Sequence, residues 1–100
     1  MTNQGTTLHE AIIQTRQIEA GALVHLLAKQ DTATRMVWRY LEAVADPDSS
    51  ADMLDRMRWS CGSQQRAADG AKAAYRALQA HTANLEALYC EASGLAQPPR

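Results

Sequence analysis

The sequence predicts an all-α fold, an antiparallel helical hairpin or small helical bundle with one long C-terminal helix. Three observations carry that reading: a twelve-position seam in the second half of the chain, a clean amphipathic stripe before it, and a turn of Asp, Pro and Ser between them. Leu54, Met57, Cys61, Gln64, Ala68, Ala71, Tyr75, Leu78, Thr82, Leu85, Tyr89 and Ala92 alternate spacings of three and four without a skip. That is the 3.5-residue repeat of a helix packed along its length against another.

The elements follow in chain order. Thr7-Leu8-His9-Glu10 has the form of a capping box, in which hydroxyl and carboxylate satisfy each other's backbone N–H groups at a helix start. A first helix is expected from about Leu8 to Lys29, with Ala20, Leu23, Val24 and Leu27 as its apolar face and Ile12 and Ile13 on the same side earlier. Gly21 lowers helix propensity there by up to ~1 kcal/mol, which suggests a close helix contact. His9 and Arg16 interrupt this face, and the Arg16 head is expected to reach solvent along its apolar stem.

Asp31, followed by Thr32, Ala33 and Thr34, has the chemistry of a second helix cap, so a kink is expected near Gln30 and Asp31. Ala33, Met36, Val37, Tyr40, Leu41 and Val44 then form the stripe of helix two. Asp46-Pro47-Asp48-Ser49-Ser50 stops it, because Pro47 disfavours helical geometry at Asp46 and the short polar side chains bond to nearby backbone. Ser49 or Ser50 restarts the chain as a third helix from about Ala51 to Ala92, with Asp52 and Asp55 near its positive end. The competing view breaks this helix near Gly62 or Gly70 and gives a compact bundle. One helical domain is expected over 1–100, with flexible tails at 1–6 and 94–100.

Composition narrows the function. At 100 residues with 46% hydrophobic content the chain is of single-domain size and globular class, yet it has no Phe and nineteen Ala, so its core should be thin. A thin core in a short chain favours self-association, including a homodimer, or complex formation. The net charge of −1 removes the long-range attraction to phosphates on which most nucleic-acid binding rests. No apolar run approaches the roughly 18 residues of a membrane span, and no signal peptide is present at the start, so a cytoplasmic location without membrane contact is expected.

The tests for chemistry are negative. His9, His25, His81, Cys61 and Cys90 show no metal-ligand or redox spacing, so no metal site is expected. No phosphate-binding glycine loop and no nucleophile elbow occurs, which leaves no catalytic residue and no cofactor site to nominate. Asp46, Asp48, Asp52 and Asp55 are accounted for by turn and cap chemistry.

The candidate binding residues are Arg35, Trp38, Arg39, Arg56, Arg58 and Trp59. Each Trp falls off its own helix's main stripe and is flanked by arginines, a composition typical of interaction hot spots. Both clusters border the Asp46 to Ser50 turn.

Two helical types of this size bear comparison. Secreted helical hairpins with a central Trp-x-Gly turn have a similar two-arm layout. Here, however, the turn is Asp46 to Ser50, the nearest Trp and Gly are spread over Trp59-Ser60-Cys61-Gly62, and Ser93 stands four positions after Tyr89. In size, helicity and lack of machinery the chain is similar to small phage- or mobile-element-borne inhibitors, including anti-CRISPR proteins. That likeness implies a non-catalytic protein that docks on a protein or ribonucleoprotein complex and blocks it sterically. The alternatives are a secretion or assembly chaperone, and a small DNA-binding regulator. The interleaved acidic residues and the five-residue turn with Pro47 speak against the last.

Overall fold

The computed structural model describes residues 4–94. These form two helices and no strand: α1 spans Gln4–Ala45 and α2 spans Ala51–Ser93, forming a helical hairpin. The chain divides into two compact units. The terminal unit contains Met1–Leu23 with Ala74–Arg100, and the turn unit contains Val24–Ala73.

In the terminal unit, Leu8, Ile12, Thr15, Glu19 and Ala22 are the withdrawn positions of α1, and Tyr75, Leu78, Thr82, Leu85 and Tyr89 those of α2. Ile12 is fully buried. Burying such a side chain stabilises by about 1.5–3 kcal/mol. The helices run antiparallel here, since Glu19 meets Thr82, Arg16 meets Glu86 and His9 stacks near Tyr89.

In the turn unit the withdrawn positions are Leu26, Lys29, Ala33, Met36, Tyr40 and Ala43 on α1, with Leu54, Met57, Cys61, Gln64, Ala68 and Ala71 on α2. The Cys61 thiol donates to the Met36 carbonyl at 3.3 Å, which again sets the helices antiparallel. The buried hydrophobic residues are Leu26, Ala33, Ala68 and Ala71, so alanines make up most of the fully buried part of this seam. Alanines let helix backbones approach but remove little apolar area each.

The connection forms as its side chains direct. The Asp46 carboxylate accepts from the Asp48 N–H at 3.0 Å, and the Ser49 N–H returns to the Asp46 carbonyl at 3.2 Å. Ser50, rather than Ser49, caps α2: its hydroxyl oxygen accepts from the Met53 N–H at 3.1 Å. The Ser49 hydroxyl is buried with no hydrogen-bond partner among the described residues. At the other end of α2, Gly94 adopts a φ of 71°, the left-handed conformation that ends helices and that glycine adopts without strain.

Several expectations are corrected. No break or cap separates two helices near Gln30 and Asp31, because α1 is one helix through that segment. Asp31 instead pairs with Arg35 one turn on, at 3.0 Å, and the Thr32 hydroxyl donates to the Ala28 carbonyl. Local side-chain bonding that could have stopped the helix is absorbed within it. Thr7 lies inside α1 rather than at its cap. The helix after the turn is therefore matched by one of nearly equal length before it, and α2 continues through Gly62 and Gly70.

Of the face expected for the first helix Ile12 is buried, but Ile13, Ala20, Leu23, Val24 and Leu27 are exposed, as are Val37, Leu41 and Val44 of the stripe expected for the second. The buried seam lies one residue earlier in phase, where Thr15, Glu19 and Lys29 replace more apolar choices. Ala92, placed last in the α2 seam, is exposed. Of the expected tails, Gln4 to Thr6 belong to α1 and Gly94 is a turn residue, while 1–3 and 95–100 lie outside the described residues.

Candidate docking surface

Heptad phase sets the two tryptophans. Trp38 stands two residues from each of the seam positions Met36 and Tyr40, and Trp59 two residues from Met57 and Cys61. At about 100° per residue, each ring points roughly 170° from the centre of its own seam. Trp38 is 63% exposed and Trp59 70% exposed. The seams face each other, so the rings occupy opposite outer faces of the turn unit. The structure leaves both open and does not bring them together.

The arginines divide as well. Arg35 is held by Asp31 through Nε at 3.0 Å, on the Trp38 side of α1. Arg58 lies 3.9 Å from Asp55, three residues earlier on α2, and has Tyr40 of α1 as a neighbour. These two neighbours, Tyr40 first, raise its pKa above the ordinary arginine value. Arg39 and Arg56 are exposed, Arg56 three residues before Trp59 and Arg39 next to Trp38. The most open aromatic and cationic pair from the sequence reading is therefore Trp59 with Arg56.

Sequence reasoning missed the aliphatic surface beside Trp38. Val24, Leu27, Val37, Leu41 and Val44 remain exposed in the turn unit, having been assigned to the core. Phase was the signal that could have found them. The stripe containing Leu26, Ala33, Met36 and Tyr40 keeps the same three-four rhythm as α2 and places Trp38 opposite it.

The terminal unit holds a different feature, an open groove of 490 Å³ lined by Arg16, Glu19, Tyr75, Gln79, Thr82 and Glu86, with Ala20 and Ala83. Arg16 Nη2 donates to Glu86 Oε1 at 2.7 Å, and the Thr82 hydroxyl lies 2.8 Å from Glu19 Oε2 and 2.9 Å from the Leu78 carbonyl. Opposite charges are paired across the helices. The Thr82 hydroxyl is shared between a carboxylate and a backbone carbonyl, with no histidine beside it in the groove lining. The arrangement is that of a polar layer in a helical seam, which fixes register and orientation.

Among the described residues, no group of three or more His, Cys, Asp or Glu could hold a metal ion, and Cys61 and Cys90 are free thiols, each half-buried. No helix among them is long and apolar enough to cross a membrane. Comparison of the chain with protein-family models, with curated proteins and with solved structures gave no match to any of them.

Proposed function

We propose that this chain is a non-catalytic docking protein that binds a larger protein or ribonucleoprotein complex and blocks it sterically, as small phage- or mobile-element-borne inhibitors of the anti-CRISPR type do. The observation that carries this reading is the exposure of Trp59, which projects from the outer face of α2 with Arg56 nearby. A large ring held on a rigid helix loses little conformational freedom on binding, and an adjacent guanidinium adds directed hydrogen bonds or stacks on it. Trp38 offers the same chemistry on the opposite face.

A tagged copy purified from a bacterial host should retain a stoichiometric protein companion. Trp59→Ala should weaken that association by about 30-fold or more, the scale of an interface hot spot. Helical circular dichroism and melting should stay as in the parent chain. Recovery of the protein without any companion, or unchanged association of the variant, would refute the reading.

A further inference from the structure

Within the turn unit, α1 carries two apolar stripes and α2 covers one of them. The second consists of Val24, Leu27, Val37, Leu41 and Val44, which are 42–69% exposed, with Trp38 at its edge. Leu27, Thr34 and Leu41 recur at sevens, as do Val37 and Val44. At the 3.5-residue repeat, about 103° per residue, the stripe occupies an arc of about 100°, centred about 130° around the helix from the seam. A second helix-binding face with a heptad rhythm is suited to another helix.

We propose that the occupant is a second copy of this chain, packed antiparallel α1 against α1 about a twofold axis at Thr34, so that two hairpins form a four-helix dimer. Three features of the stripe select a copy over another partner. It is nearly palindromic about Thr34: seven residues to either side stand Leu27 and Leu41, and ten to either side stand Val24 and Val44. Antiparallel pairing sets Leu27 of one copy on Leu41 of the other, and Val24 on Val44, each twice. Such self-complementarity is what an isologous interface requires.

Charge fits the same arrangement. Asp31 is the one ionisable residue on the stripe between Val24 and Val44, and the axis places it near Val37 and Trp38 of the other copy, away from its own equivalent. No like charges oppose across the axis, and Gln30 and Asp31 supply acceptors to the indole N–H of Trp38. Area fits too. The five aliphatic side chains and the Trp38 ring offer on the order of 600 Å² of surface, against roughly 800 Å² per partner in a stable complex of ordinary size. Neighbouring polar stems can supply the remainder. A patch of that size is at the upper limit of what a monomeric protein leaves uncovered.

The inference is independent of the docking reading, whose test rests on Trp59 of α2. Sedimentation equilibrium of the full chain should show a monomer–dimer equilibrium, and Leu41→Glu should weaken it at least about a hundredfold, since each substitution enters the interface twice. Thr34→Cys should yield a covalent dimer under mild oxidation, in excess of any formed by the parent chain through Cys61 and Cys90. This second variant keeps the idea testable if Leu41→Glu is poorly folded. A parent chain that sediments as a monomer throughout would overturn the proposal, as would a dimer that survives Leu41→Glu, or a Thr34→Cys chain that cross-links no more than the parent.

Discussion

In the terminal unit the helices are joined by an ion pair, a hydroxyl–carboxylate bond and a pair of tilted rings, whereas the turn unit has buried alanines and one thiol–carbonyl contact. Both units continue one heptad phase. The difference lies in what each leaves outside. Apolar side chains are exposed in both, but the turn unit exposes the second stripe of α1 and, on opposite outer faces, both tryptophans. Polar seam residues specify which helix faces meet at some expense of stability. Specification is concentrated near the chain ends, and the richest surface for other molecules lies near the turn.

Substitutions can break this contrast. The largest effect is expected from Ile12→Ala, which empties a fully buried site and should cost about 3 kcal/mol in urea denaturation. Next comes Thr82→Val, which removes the buried hydroxyl that bonds the half-buried Glu19 carboxylate and should cost about 1 kcal/mol. Combining it with Glu19→Leu should return part of that stability, because replacing both partners of a hydrogen bond is less damaging than removing one. If the double variant is as unstable as Thr82→Val, the pair does not act as a unit. The smallest effect belongs to Arg16→Ala. Its ion pair is part-exposed, so about 0.5–1 kcal/mol should be lost at low salt and less at high salt, as melting curves at two ionic strengths would show.

The α2 seam could be read from sequence nearly position by position, since Leu54 through Tyr89 keep phase and none is exposed. The α1 seam could not. Hydrophobicity favoured Leu23, Val24 and Leu27, while the seam positions include the buried Thr15 and the half-buried Glu19 and Lys29, whose suitability depends on what α2 places opposite them. Asp31 misled in a related way: Asp is a good cap, but in mid-helix its carboxylate is satisfied by Arg35. That both tryptophans fall off their own helix's main stripe followed from phase; that neither ring tucks under a neighbouring helix did not. Nor did the proximity of Arg58 to Tyr40, because it requires the register between α1 and α2.

The order in which the hairpin can assemble follows from its short, self-bonded turn. Asp46 and Ser50 close the connection through their own side chains, so the first cross-helix contacts span little sequence. The Cys61 thiol and the Met36 carbonyl are 25 residues apart, while Arg16 and Glu86 are 70 apart. Formed independently, the longer loop would carry about 0.9 kcal/mol more closure entropy. Contacts near the turn therefore close at the smaller entropic cost, which favours their forming first.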